Sequence, residues 1–159
     1  MMTGLEPRGF TWVIAGRLAV SERIGGHGFQ HRRVRREEEI AWLQHRGVNA
    51  LLSLLDGNQN LASYEAADIT FGHQPLIDLE PPTVTAVFDT VHEMLGRSGA
   101  VLLIHRDIID DPMAGILAGY LVHSGLIEDP IVATAAIQEI LKRPLGPEGR
   151  GVIPQGVGI

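Results

Sequence analysis

Cysteine is missing from all 159 residues. That absence excludes disulfides, thiolate metal sites and any thiol nucleophile. Aromatic residues are scarce at 5%, so Trp12 and Trp42 are read as core or sheet-edge packing rather than as a binding surface. No apolar run approaches the roughly 20 residues of a membrane-spanning helix. The start, MMTGLEPRGF, has no apolar segment of the secretory type. The expectation is therefore a cytoplasmic protein without a membrane partner. Basic charge is also in deficit: 13 Lys and Arg face 19 Asp and Glu, a net charge of −6, which argues against nucleic acid as a partner. No cofactor motif and no internal repeat stands out.

What is present suits a single globular domain. Hydrophobic content is 45% and the length is sufficient for a real core. We expect one domain over residues 1–150 and a flexible Gly- and Pro-rich tail over 151–159.

The most informative stretch is AVLLIHRDIIDDPMAG, residues 100–115. Val101 to Ile104 reads as a buried strand, His105 to Asp111 as a polar loop, and Pro112 as the opening of a helix. Asp111 is the expected cap, with proline tolerated at the first helical position. A strand-loop-helix turn normally aims backbone N–H groups and the positive helix end at an anion. Here the loop carries Asp107, Asp110 and Asp111 and no glycine.

The rest of the chain alternates strands and helices. Phe10 to Val20 predicts two short strands broken at Ala15-Gly16, and Val34 to Arg46 a helix stopped by Gly47. Val48 to Leu55 predicts a strand closed by the turn Asp56-Gly57-Asn58, and Leu61 to Ala67 a short helix. Ile69 to Leu76 reads as a weaker strand interrupted by Gly72. Thr83 to Leu95 is a helix by the spacing of Val84, Val87, Phe88, Val91 and Leu95. Pro112 to His123 is apolar nearly all round, the mark of a buried helix. A further helix starts at Asp129-Pro130 and ends near Lys142, before Arg143-Pro144. The remainder reads as a loop or loosely attached tail. This order implies an α/β fold with a central mixed, mostly parallel sheet flanked by helices.

In these stretches the chain resembles the cysteine-dependent protein phosphatase superfamily, of the small atypical dual-specificity type. Phe10 to Val13 with Gly16 to Ala19 is similar to the opening hairpin, and Leu51 to Leu54 to a core strand. Ile77-Asp78-Leu79-Glu80-Pro81-Pro82 resembles the general-acid loop. Val101 to Leu121 resembles the signature strand, phosphate loop and buried helix, and Ala136 to Pro144 the last helix. The family signature is His-Cys, five residues, then Arg and a hydroxyl residue. His105 matches, but Arg106 stands at the cysteine position, Pro112 at the arginine position and Met113 at the hydroxyl position. Of the catalytic set the resemblance leaves only Asp78, at the general-acid position.

Each replacement removes a piece of chemistry. A guanidinium stays protonated and is no nucleophile; proline offers no fork for phosphate oxygens. A helix N-terminus favours an anion by about 0.3–1 kcal/mol, up to ~2 when partly buried. One carboxylate about 4 Å from a phosphate charge costs roughly 4 kcal/mol at an effective dielectric near 20. The loop is therefore expected not to hold phosphate.

The leading expectation is a catalytically inactive phosphatase-like protein, a binding or regulatory module with an acidic former active-site pocket. The pocket set is Asp78, His105, Arg106, Asp107, Ile108, Ile109, Asp110 and Asp111. Arg106 is expected to lie over Asp107, Asp110 or Asp78. Either these groups satisfy one another, or they receive a cation, an amine or a basic peptide. Two other readings remain open. Asp107, Asp110 and Asp111 are weak candidates for a hard metal ion in a metal-assisted phosphoesterase. The basic Arg32–Arg36 segment is a candidate surface for an acidic partner, and His27 with His31 forms an incomplete zinc pair. A homo-oligomer is compatible with the sequence, which specifies no interface.

Overall fold

A computed structural model describes residues 4–26, 33–57 and 60–155. The elements in chain order are β1 (Thr11–Ile14), β2 (Leu18–Ser21), α1 (Arg33–His45), β3 (Ala50–Ser53), α2 (Leu61–Ala66) and β4 (Thr70–His73). They continue with α3 (Pro81–Leu95), β5 (Leu102–His105), α4 (Asp111–His123), α5 (Pro130–Leu141) and α6 (Pro147–Gly151). The strands form one sheet in the order β1-β2-β5-β3-β4. Only β1 runs antiparallel to its neighbour; β2, β5, β3 and β4 are parallel.

The three inner strands are buried along their whole length, as expected of a sheet covered on both faces. Alternation along each strand divides the core. Leu18, Val20, Leu52, Leu102 and Ile104 pack with the residues of α3, α4 and α5. Ala19, Leu51 and Leu103 pack on the other face with Ile40, Trp42 and Leu43 of α1 and Tyr64 of α2. In register, Ser21, His105 and Ser53 end the three inner strands side by side. All three side chains are buried, and the crevice beyond such parallel strand ends is where ligands bind in α/β sheets. Among the described residues no helix is long and apolar enough to cross a membrane.

Several boundaries differ from the expected ones. β3 and β4 are shorter than the apolar runs that announce them, although single backbone bonds such as Leu54 N–H to the His105 carbonyl and Leu76 N–H to the Leu54 carbonyl carry the pairing a little further. α3 takes in both Pro81 and Pro82 instead of starting at Thr83; a first helical turn has no N–H bonds for proline to lose.

The larger correction concerns the C-terminal segment. Residues 144–155 are not a loose tail: Pro147–Gly151 forms α6, and Leu145, Val152 and Ile153 are buried in the main core. Residues 156–159 lie outside the described part. Glycine content hides α6 in the sequence but is what lets it dock. A Cβ on Gly115 of α4 would run into the backbone of Gly149, and one on Gly119 would meet the Phe88 ring at 2.6 Å.

This close approach predicts that Gly115→Ala is destabilised by about 1–3 kcal/mol through overpacking against rigid backbone. Gly151→Ala, with no atom near the added methyl, serves as the neutral control. Urea midpoints of the two variants check the contrast, and equal midpoints would refute it.

Candidate ligand site at the β5–α4 loop

The loop of residues 106–110 leaves the end of β5 and enters α4. Its carboxylates diverge. Asp110, not Asp111, caps α4, its Oδ1 accepting from the Met113 N–H at 3.0 Å. Asp110 has the extended backbone that an N-cap requires. Asp111 is the first helical residue and turns away from the loop. Its Oδ1 accepts from the Gly146 N–H at 2.6 Å and its Oδ2 from the Gly149 N–H at 2.9 Å, which fastens the start of α6 to α4. Asp107 is largely exposed and faces Arg23 at 3.7 Å. Among the described residues no three potential metal donors come together, and these three aspartates point to three different partners.

Arg106 folds back as a self-contained group. Its Nη1 lies 3.5 Å from Asp110 Oδ2, and its Nη2 donates to the Leu76 carbonyl at 3.3 Å. Of the three aspartates expected beneath it, it meets Asp110. Asp78 is exposed, and its Oδ1 accepts from the Glu80 N–H at 2.9 Å. That is a turn contact leading into α3. Ile109 packs on the main core, and Arg143 Nη1 donates to its carbonyl at 3.0 Å.

His105 is fully buried behind the strand end. Its Nε2 lies 2.7 Å from the Tyr64 hydroxyl, which also accepts from Asn60 Nδ2 at 3.1 Å; Asn60 Nδ2 reaches the Ile24 carbonyl at 2.7 Å. The other ring nitrogen, His105 Nδ1, is buried without a partner among the described residues. Burial, then Arg23 and His73, lower the His105 pKa to about 3; burial pushes the Tyr64 phenol up.

A cavity of about 390 Å³ opens at this end of the sheet. Of the expected pocket set it gathers Arg106, Asp107, Ile108 and Asp110; Asp78, His105, Ile109 and Asp111 do not line it. It adds Arg23 from the segment after β2, and Leu54, Leu55, Asp56 and Gly57 from the segment after β3. The walls thus hold two guanidiniums and three carboxylates, a bipolar lining where an acidic one containing Arg106 was expected. Arg23 and Asp56 were findable: each follows the carboxyl end of a parallel strand flanking β5. The basic segment contributes little free charge: Arg33 pairs with Glu37 at 3.0 Å and Arg35 with buried Glu39 at 2.8 Å. Arg32, His27 and His31 lie outside the described residues.

With this geometry in place, the relatives are informative. No family model matches the sequence, and no curated protein matches it. The fold does match solved structures. A kinase associated phosphatase with serine substituted for its catalytic cysteine aligns at TM-score 0.73 and 14% identity, over 92% of each chain. The Cydia pomonella PTP-2 phosphatase aligns at TM-score 0.65 and 13% identity, over 91% of this chain and 87% of that one. Human DUSP28 aligns at TM-score 0.60 and 16% identity, over 92% and 90%. The chain has the fold of the small dual-specificity and tyrosine phosphatases.

Two predictions follow from the buried and capped groups. The N–H groups of Gly149 and Gly146, then Arg143 and Arg150, outweigh the burial that opposes ionisation of Asp111 and hold its pKa below the ordinary range. Its contribution to stability is complete above the unfolded value of about 3.9. It is lost as pH falls through the lower folded value. Asp111→Ala is expected to cost about 1–3 kcal/mol at neutral pH by stranding two donors, with the gap to wild type closing in acid. Denaturant titrations across pH test this.

His105 behaves oppositely in origin, though acid again does the damage. Between its ordinary value of 6.5 and about 3, the unfolded chain takes up a proton that the folded protein refuses. Stability is full above 6.5 and erodes through that window. His105→Gln should reduce the dependence of unfolding free energy on pH by up to about 1.4 kcal/mol per pH unit. An unchanged slope would contradict the neutral buried imidazole.

Proposed function

We propose that this protein is a non-catalytic member of the phosphatase fold, a binding or regulatory module that uses the crevice at the ends of its parallel strands. The observation that carries this reading is Arg106. It occupies the position after His105 where the fold's thiol nucleophile would stand, and it is committed to Asp110 and the Leu76 carbonyl. A protonated guanidinium cannot attack phosphorus.

The surroundings agree with that reading. Pro112 has no N–H, and the Met113 N–H is held by Asp110. Backbone N–H groups at these positions are what an anion at a helix start would use. Asp78, at the general-acid position, is exposed and has one carboxylate oxygen bonded within its own turn. The carboxylates of Asp56, Asp107 and Asp110 suit a cationic group, an amine or the side chain of a basic peptide. In this reading the fold supplies a rigid frame and the loop supplies recognition.

The test is a panel of phosphoesters: p-nitrophenyl phosphate and peptides carrying phosphotyrosine or phosphoserine. Purified protein is expected to release no phosphate above the buffer blank. Steady release that disappears in Asp78→Asn or Asp110→Asn would overturn the reading.

A further inference from the structure

The cavity contains a cation that its own walls do not satisfy. The Arg23 side chain is only 14% exposed. Among the described residues its guanidinium makes no side-chain hydrogen bond. Its Nε is buried without a partner, and its one ionic contact is Asp107 at 3.7 Å. That distance is longer than a charge-assisted hydrogen bond of about 2.7–2.9 Å. A guanidinium taken out of water normally has its donors met, since an unpaired buried charge is costly. Arg106, in the same cavity, meets that requirement with a carboxylate and a carbonyl. Arg23 does not, and it lines the open space.

The opposite charge is present as well. Asp56 is exposed at the rim and carries no ion pair among the described residues, while the Asp107 carboxylate is 61% exposed and only loosely engaged. A simple anion entering to meet Arg23 would be repelled by Asp56, Asp107 and Asp110. A simple cation meeting those carboxylates would be repelled by Arg23 and Arg106. A molecule bearing both charges a few bonds apart faces neither penalty. Ile108, about half exposed, adds an apolar surface with buried Leu54 and Leu55 behind the wall, and the cavity volume falls within the range of small-ligand sites, about 300–1,000 Å³.

We propose that this cavity is a site for a small zwitterion, an α-amino acid with an apolar side chain. Its carboxylate meets Arg23, its ammonium meets Asp107 and Asp56, and its side chain lies against Ile108. The proposal rests on the non-catalytic reading and specifies the ligand of the same crevice.

Isothermal titration with L-leucine and L-phenylalanine, their carboxamides, their N-acetyl derivatives and inorganic phosphate tests it. The free amino acids are expected to bind. Blocking either end should weaken binding at least tenfold, and Arg23→Gln should weaken it similarly. Asp56→Asn, a change at an exposed residue that leaves the fold intact, should weaken it severalfold, which guards against misfolding of the Arg23 variant. No binding of either amino acid at millimolar concentration overturns the proposal. So does phosphate binding that depends on Arg23, or equal binding of the blocked and free forms. Phosphoester turnover, measured separately, would instead remove the non-catalytic reading itself.

Discussion

The start of α4 is governed by one hydrogen bond, from the Met113 N–H to the Asp110 carboxylate. In an α/β sheet, the turn from a buried strand into a helix is the natural place to receive an anion. This protein fills that place with its own side chain. Once Asp110 caps the helix, its second oxygen is available to Arg106, and the loop closes on itself. Asp111 is left one residue further on, inside the helix, where its carboxylate reaches the N–H groups of Gly146 and Gly149. The position of the cap thus sets the direction of the neighbouring carboxylates.

The charge that remains free lies elsewhere. Arg23 and Asp56 come from segments following β2 and β3, and the parallel register brings those segments to either side of β5. The cavity is consequently a product of the sheet order β2-β5-β3 as much as of the loop. The buried chain from Ile24 through Asn60 and Tyr64 to His105 ties the same region together from beneath. It places a neutral imidazole under a bipolar surface.

The fold was largely readable because its signals are local. Buried strands appear as short apolar runs, and Asp129-Pro130 announces a helix that forms with the expected cap. The resemblance to phosphatases, carried by Val101 to Leu121, agrees with the structural relatives. The site was less readable because its partners are distant in sequence. Which of Asp110 and Asp111 caps α4 depends on where the helix begins by a single residue, and dipeptide patterns do not resolve that. Arg23 gains its meaning only from strand register. α6 escaped notice because Pro147, Gly149 and Gly151 are poor helix formers in isolation. Its short helix persists through contacts with α4, not through propensity.

The joint between Asp111 and α6 couples the β5–α4 turn to the C-terminal segment. Removing Asp111 would unlatch Gly146 and Gly149, and with them the anchorage of Val152 and Ile153 in the core. The two adjacent carboxylates therefore differ in what they hold: Asp110 shapes the turn, while Asp111 works as a clasp for a segment some 35 residues away in the chain.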